Sequence, residues 1–279
     1  MQAFQAELRK LGHEEGRSVT FDVRWGENKP ERLPSLATEL VAHRPAVILT
    51  GSSGGVLAAK NATSTIPIVF ASAASPVEQG FIKSFRQPGG NITGVMVHMT
   101  EAKAVEIVRE ILPRARRLAI LIHKPDPYSK LSLEAFVAAA KRLKFEPLVI
   151  EVARTEELAI AFNEIVRQKA DALYAPALVF IAAHRDYLVE RALEARLPLL
   201  SPYEEMTAGG GLLSYGTERN ENFRRAAVLV DKILRGASPA ELPVEQPQKF
   251  ELVVNLKTAR TLGLKLPREF IQRADRVID

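Results

Sequence analysis

The sequence predicts an α/β protein with two doubly wound lobes, and three observations lead to that prediction. Six short apolar runs are each followed by a polar loop marked by glycine or proline, which is typical of parallel strands buried on both faces. Segments with apolar residues at helical spacing separate these runs. The alternation occurs in two successive series along the chain. The runs and their loops are Val47–Leu49 before 50–55, Ile68–Phe70 before 71–76, Ala119–Ile122 before 123–128, Ala172–Tyr174 before 175–176, Leu199–Leu200 before 201–204 and Leu212–Leu213 before 214–217.

The first series is predicted to contain both helices and strands between residues 19 and 98. A strand-like segment over 19–25 precedes a helix over 31–43, and Pro45 opens the next strand. Right-handed crossovers then predict a twisted parallel sheet with helices on both faces. The remaining elements of this series are a helix over 55–63 and strands over 67–70 and 92–98.

The second series begins with a helix over 101–112 that Pro113 closes. Its predicted strands are 117–122, 147–152, 171–174, 198–200 and 211–214, and its predicted helices are 131–144, 155–169 and 181–196. The less regular tail contains a helix over 219–235, a strand over 250–255, and short helices over 256–262 and 268–277.

The amino-terminal residues predict a helix where a strand would be expected. Phe4, Leu8 and Leu11 share one helical face, and Gly12 ends the pattern. A βα series normally begins with a strand, so we expect the first sheet to lack one inner strand.

Composition limits the classes of function. The 279-residue chain carries a net charge of +5, but its basic residues alternate with acidic ones, as in Arg109-Glu110, so we expect a solvated surface and no nucleic-acid partner. It has no cysteine and no run of 18 apolar residues, which argues against thiolate metal sites, thiol nucleophiles and membrane insertion. The five histidines show no ligand-pair spacing, so we predict neither a metal nor a cofactor.

The Gly51–Gly55 loop joins a buried strand to a helix. The backbone N–H groups at such a helix start suit a carboxylate or another anion. Ser52 or Ser53 could instead serve only as the helix N-cap, and both roles can hold at once.

The same loop matches Gly-x-Ser-x-Gly, the nucleophile elbow of serine hydrolases, with Ser53 as nucleophile. The downstream partners available in the required order are Asp126 or Asp171 with His184. No His-Gly-Gly-Gly oxyanion loop precedes the motif. We therefore keep the hydrolase as the alternative to a binding protein.

Other candidate ligand contacts follow the predicted strands. Tyr128, Tyr203 and Tyr215 could line a ligand crevice with their rings, or serve in ordinary packing. Asp126 and Glu204 beside them could bind an ammonium group, although Asp126 between two prolines could only shape its turn. His98 and His123 lie at strand ends, where they could contact a ligand or cap a loop.

Three segments of the chain resemble one known family. They are Thr63–Phe70 (TSTIPIVF), Gln87–Gly94 (QPGGNITG), and Leu242–Pro247 (LPVEQP) with Phe250–Ala259 (FELVVNLKTA). Together they resemble the substrate-binding proteins of ABC importers of the tryptophan/tyrosine type, and the resemblance extends over essentially the whole chain. It implies a type I periplasmic-binding fold, with two α/β lobes joined by three crossovers.

The resemblance also implies a function and a location. A non-enzymatic, periplasmic receptor would close by hinge rotation on a small carboxylate such as an aromatic amino acid, and would hand it to a membrane permease. Lobe 1 would comprise residues 1–98 and part of 217–279. Lobe 2 would comprise residues 99–216 and could include another part of the C-terminal tail. Lobe 1 would offer Ser52, Ser53, Ser72, Ser75 and His98 to the ligand, and lobe 2 would offer Asp126, Tyr128, Tyr203, Glu204 and Tyr215.

Lactose-repressor-like transcription regulators share the two-lobe fold. Their effector-sensing core is therefore a third possibility for this chain. No helix-turn-helix motif is visible in the sequence, so we do not expect this chain alone to read DNA.

Overall fold

Helices alternate with strands along nearly the whole chain in the computed structural model, which describes residues 1–27, 29–246 and 249–279, apart from the side chain of Arg219. The strands are β1 (Ile48–Thr50), β2 (Ile68–Ala74), β3 (Ile92–Val97), β4 (Arg117–His123), β5 (Glu146–Val152), β6 (Ala172–Tyr174), β7 (Leu199–Ser201), β8 (Leu213–Thr217), β9 (Phe250–Asn255) and β10 (Arg276–Ile278). The helices are α1 (Gln2–Lys10), α2 (Leu33–Ala42), α3 (Ser53–Ala62), α4 (Glu101–Ile111), α5 (Ser129–Arg142), α6 (Leu158–Arg167), α7 (Val179–Ala183), α8 (Arg185–Glu194), α9 (Glu204–Ala208), α10 (Arg219–Leu234), α11 (Leu256–Leu262) and α12 (Arg268–Gln272).

The chain divides into two units. Unit 1 comprises 1–98 and 217–249, and unit 2 comprises 99–216 and 250–279. Unit 1 has a three-stranded sheet in the order β1-β2-β3, and unit 2 has a seven-stranded sheet in the order β10-β9-β8-β7-β6-β4-β5. The α/β fold class with parallel sheets that the sequence predicts is confirmed.

Both faces of the unit 1 sheet are buried, because alternate residues of a strand point to opposite sides. Ile68 and Phe70 of β2 pack on one side with Val56 of α3. Val69 and Ala71 point to the other side, where α1 and α10 cover the sheet. This two-sided burial explains why β2 reads as a continuous apolar run.

The α1 helix predicted from the amino-terminal residues is present. Phe4 and Leu8, four residues apart on one face, are buried and belong to the same core as Ala226 and Val230 of α10. The His13 ring also hydrogen-bonds the Asp231 carboxylate of α10, with 2.8 Å between Nε2 and Oδ1. Apolar and polar contacts together hold the start of the chain against α10.

The unit 2 sheet is built around β4. This strand pairs in parallel with β5 on one side and with β6 on the other. Ala119, Ile120 and Leu121 are fully buried, as expected for a central strand covered on both faces. The loops after β4, β6 and β7 therefore leave the sheet on the same side, at the carboxyl ends of these parallel strands.

The prediction of a strand over 19–25 is wrong. The described residues of this segment form no strand, and Val19 makes only an isolated bridge with Glu15. Phe21 packs edge-on against Phe4, while Trp25 is 64% exposed. The alternating pattern is suited to a strand, but no neighbouring strand pairs with this segment within the described ranges, and a strand is stable only in a ladder.

The prediction of one helix over 268–277 is also wrong. Helix α12 ends at Gln272, and Arg276–Ile278 pair in parallel with Val253–Asn255 of β9. The Asp275 carboxylate accepts a hydrogen bond from the Leu252 N–H, which aligns the two strands. Residues 276–278 therefore form a strand, because pairing with β9 is available to them although their sequence pattern favours a helix.

The structure changes two further details of the second series. The helix predicted over 181–196 is two helices, α7 and α8, which are interrupted at His184. Short helix α9 was not predicted. None of the helices in the described ranges combines the length and apolar character that crossing a bilayer requires.

We predict that Gly94→Ala destabilises unit 1. A Cβ at Gly94 would lie 2.2 Å from the Phe70 carbonyl oxygen of the neighbouring strand, so the ladder between β2 and β3 would have to shift. The expected loss is about 1–3 kcal/mol in the free energy of unfolding, measured by urea denaturation. Exposed Gly90 has open space around its Cβ position, so Gly90→Ala is the matched control. Equal stability of the two variants would contradict the prediction.

Candidate functional site

Ser52 lies at the carboxyl end of β1 and caps helix α3. Its backbone is extended and its Oγ accepts a hydrogen bond from the Gly55 N–H at 3.1 Å. Gly55 is required by packing, since a Cβ there would lie 2.0 Å from the Thr50 hydroxyl oxygen. The capping role considered for Ser52 is present, and the positive end of a ten-residue helix follows it.

Gln79 joins the loops that follow β1 and β2. Its side-chain nitrogen donates to Ser53 Oγ at 3.2 Å and to the carbonyl oxygen of Ala74, the last residue of β2, at 2.5 Å. Ser53 is buried, and the Gln79 side-chain oxygen is enclosed with no hydrogen-bond partner among the described residues. Sequence reasoning missed Gln79 because a lone glutamine in a loop matches no motif.

The other predicted residues of unit 1 lie along the same edge. Ser72 is a half-buried residue within β2, and Ser75 directly follows this strand. Ser75 has a left-handed backbone with φ of 44°, which is uncommon for a residue with a Cβ and turns the chain sharply. His98 is half-buried directly after β3. The structure thus brings the loops of Ser52, Ser53 and Ser75 together.

In unit 2, Asp126 shapes the loop after β4. Its carboxylate accepts a hydrogen bond from the Tyr128 N–H at 2.9 Å, which is the Asx turn considered for this residue. The backbone N–H of Val179, at the start of α7, lies near enough to this carboxylate to lower its pKa. Desolvation raises the pKa of Asp126, and the two N–H groups offset this only in part.

A buried polar group in unit 2, named here the Glu101 cluster, was not predicted. Glu101, the first residue of α4, is 1% exposed. Its Oε1 accepts hydrogen bonds from the Tyr128 hydroxyl at 2.9 Å and the Ser132 hydroxyl at 2.6 Å. Beside it, the Thr100 and Tyr174 hydroxyls lie 3.1 Å apart. The cluster consists of Thr100, Glu101, Tyr128, Ser132 and Tyr174.

Burial in the Glu101 cluster disfavours ionisation of its acidic groups. Burial raises the pKa of Glu101, and its hydrogen bonds to Ser132 and Tyr128 counteract this shift only partly. Burial and the Glu101 charge raise the pKa of Tyr128 and Tyr174, with a further contribution from Tyr203. The phenols therefore remain neutral donors, and Tyr203 lies near enough to influence both of them.

Two more predicted residues have partners within unit 2. Glu204 begins α9 and forms an ion pair with Arg276 of β10. Tyr215 lies within β8, not after it, and stacks on Phe250 with ring centroids 5.3 Å apart. The Glu204 carboxylate is thus paired with a cation, and one face of the Tyr215 ring is covered by Phe250. The roles of Glu204 and Tyr215 in ligand binding stay predictions.

The partners proposed for a hydrolase are engaged elsewhere. The His184 ring contacts the Thr155 hydroxyl at 3.0 Å and the Phe180 carbonyl oxygen at 2.8 Å, one through each nitrogen. Asp171 accepts hydrogen bonds from the backbone N–H groups of Arg116 and Arg117. A catalytic acid must orient its histidine directly, and neither contact does so.

His123, weighed above as a ligand contact or a loop cap, is buried and stacks in parallel on Phe180 with ring centroids 4.3 Å apart. Its Nε2 lies 3.3 Å from the Ala153 carbonyl oxygen. Across the described part of the chain, no group of three or more histidine or acidic side chains is placed to hold a metal ion. In each unit the candidate residues are mainly hydroxyls, amides and carboxylates, groups that can form hydrogen bonds to a small polar ligand.

A family model described as ABC transporter substrate binding protein matches residues 1–278. A curated relative, the tyrosine-binding protein of Clostridioides difficile, is 26% identical over 258 residues, or 92% of this chain and 74% of the relative.

Two solved structures have closely similar folds. A conserved domain protein from Vibrio cholerae is 25% identical with a TM-score of 0.95. The ABC domain in complex with L-Trp from Streptococcus pneumoniae is 24% identical with a TM-score of 0.94. Each comparison covers 99% of this chain and 93% of the other.

We predict that Glu101→Gln changes how stability depends on pH. The pKa of Glu101 is raised in the folded state, so the unfolded chain loses this proton at lower pH than the folded chain does. Its contribution to stability is therefore present below about pH 4.5 and is lost as the pH rises toward the folded-state pKa. As the pH rises from about 4 to about 8, the free energy of unfolding of Glu101→Gln should therefore increase relative to that of the wild type. Urea unfolding at several pH values measures this difference.

The control for this experiment is Glu106→Gln on the same helix, whose side chain is partly exposed. A difference between wild type and Glu101→Gln that stays constant across the pH range would contradict the prediction.

We predict that Ser52→Ala lowers the free energy of unfolding without any ligand present. Losing the hydrogen bond to the Gly55 N–H removes the cap of α3, which typically costs about 1 kcal/mol. Ser52→Asp can still accept this bond and should retain most of the stability. An alanine variant as stable as the wild type in chemical denaturation would show that the cap contributes nothing.

Proposed function

The chain belongs to the ABC transporter substrate-binding proteins, and from this premise we propose that its ligand is a small carboxylate of the aromatic amino acid class. Proteins of this family act outside the cytoplasm. The observation that most supports this ligand class is the named relative, a tyrosine-binding protein that aligns with 92% of the chain. The Trp-bound structure of similar fold belongs to a protein with a ligand of the same class.

We propose that unit 1 binds the ligand carboxylate. The Ser52-Ser53 turn offers hydroxyls and the amide groups at the start of α3, a setting that favours an anion. Gln79 fixes this turn next to the end of β2, where Ser72 and Ser75 supply further hydroxyls. His98 at the end of β3 is part of the same proposed set.

We propose that unit 2 binds the remainder of the ligand. Its proposed contacts gather at the carboxyl ends of β4 and β7 and on β8. Aromatic rings provide flat apolar area with a hydroxyl at the edge, which suits an aromatic side chain. The proposed residues are Asp126, Tyr128, Tyr203, Glu204 and Tyr215. The interlobe cleft, the lobe bounds and the hinge closure expected from the resemblance remain predictions.

We propose further that the protein acts without catalysis and delivers its ligand to a permease in the periplasm. The engaged state of His184 and Asp171 supports a role as receptor over one as hydrolase. Ser53 Oγ accepts a hydrogen bond from Gln79, and no histidine of the described residues is hydrogen-bonded to it as the base of a nucleophile would be. Binding followed by release is the chemistry that these groups support.

We predict that L-tyrosine or L-tryptophan raises the melting temperature. A ligand that binds only the folded state adds about 2.7 kcal/mol at a concentration of 100 times Kd, which corresponds to a shift of roughly 5 °C for a chain of this length. The measurement is a thermal-shift titration with both amino acids, benzoate and 4-hydroxybenzoate. D-Glucose, which carries no carboxylate, is the negative control.

Two outcomes would contradict the proposal. If well-folded protein shows no shift with any of these carboxylates, the proposed ligand class is wrong. Turnover of 4-nitrophenyl acetate that disappears in Ser53→Ala would establish the hydrolase instead.

A further inference from the structure

We propose that Glu101 recognises the ammonium group of the ligand and so makes the protein select α-amino acids over aromatic acids that lack the amine. This inference rests on the proposed function and names the residue that would decide between two ligand classes within it. No motif in the sequence marks Glu101.

The position of Glu101 supports this role. Ligands of open α/β sheets bind outside the carboxyl ends of the strands. The Glu101 side chain contacts Tyr128 in the loop after β4, and neighbouring Thr100 contacts Tyr174 at the end of β6. Glu101 therefore lies at the edge of the unit 2 sheet where such a ligand is expected.

The hydrogen bonds of the carboxylate are unequally distributed. Oε1 receives two hydroxyl donors, from Tyr128 and Ser132. Oε2 is enclosed and has no hydrogen-bond partner among the described residues. The backbone amides of Thr100 and Glu101 lie nearby and favour the charged form, but neither hydrogen-bonds Oε2. A buried carboxylate oxygen without a donor is unfavourable, so a donor that arrives with the ligand would be strongly bound.

The other acidic candidates are already occupied. Asp126 accepts a hydrogen bond from the Tyr128 N–H and lies near the Val179 N–H, and Glu204 is paired with Arg276. No arginine or lysine in the described ranges forms an ion pair with Glu101, so no protein cation competes for its free oxygen. Neutral phenols and hydroxyls surround it, and an ammonium group brought by the ligand would favour its charged form.

The experiment compares two matched pairs of ligands by calorimetric titration. L-Tyrosine is paired with 3-(4-hydroxyphenyl)propionate and L-tryptophan with indole-3-propionate, so each pair differs only by the amine. Wild type should prefer the amino acid of the pair it binds. In Glu101→Gln this preference should fall roughly 10- to 100-fold, the range that one charge-assisted hydrogen bond provides. The affinity for the acid without the amine should change less than about threefold.

Two variants complete the design. Glu106→Gln is the control, since this residue lies on the same helix with its carboxylate in exposed ion pairs with Lys103 and Arg142. If Glu101→Gln fails to fold by circular dichroism, Glu101→Asp takes its place. Glu101→Asp keeps the carboxylate, but its side chain is shorter by one methylene group and the carboxylate lies farther from the ligand amine. The preference for the amine should therefore fall in this variant as well.

The outcomes separate this inference from the function on which it rests. If wild type binds both members of a pair equally, or if the folded Glu101 variant keeps the full preference, the inference is overturned while the receptor function stands. The second result would indicate that a proton, and not a ligand amine, satisfies Oε2. If wild type binds no member of either pair, the proposed function fails and the inference fails with it.

Discussion

The constraint on which the structure depends is parallel strand pairing. Strands that run in the same direction end at the same edge of the sheet, and their loops must meet there. In unit 1 this places the end of β2 beside the Ser52-Ser53 turn, close enough for Gln79 to bond to both. In unit 2 it places Asp126 after β4 within reach of the start of α7, which follows β6. The polar groups converge although they are far apart in the sequence.

Much of this arrangement could be predicted because burial leaves a simple pattern. Continuous apolar runs such as Ile68–Phe70 indicate strands covered on both faces, and the loops after them could be identified directly. Sequence patterns failed for 19–25, predicted as a strand, and for 276–278, which lie largely in a predicted helix, because pairing depends on whether a neighbouring strand is available. An alternating pattern describes the strand alone and not its partner.

The candidate site shows the same limit. Ser52 could be identified as a cap because capping is local in sequence. Glu101 reads as an ordinary acidic residue in the first turn of a helix, where such residues are common. Its burial follows from Tyr128 and Ser132, which lie 27 and 31 residues away in the sequence. Contacts over such separations leave no periodic signal, so Glu101 and Gln79 became visible only in three dimensions.

The exposed position of Trp25 affects how this protein can be studied. It is the single tryptophan of the chain, and it lies on an irregular segment outside every helix and strand, already in contact with water. Its fluorescence therefore reports on that surface segment and changes little when the cores of the two units melt. The buried phenols of Tyr128 and Tyr174 have the opposite property. Ultraviolet absorbance of tyrosine is the better spectroscopic probe of unit 2.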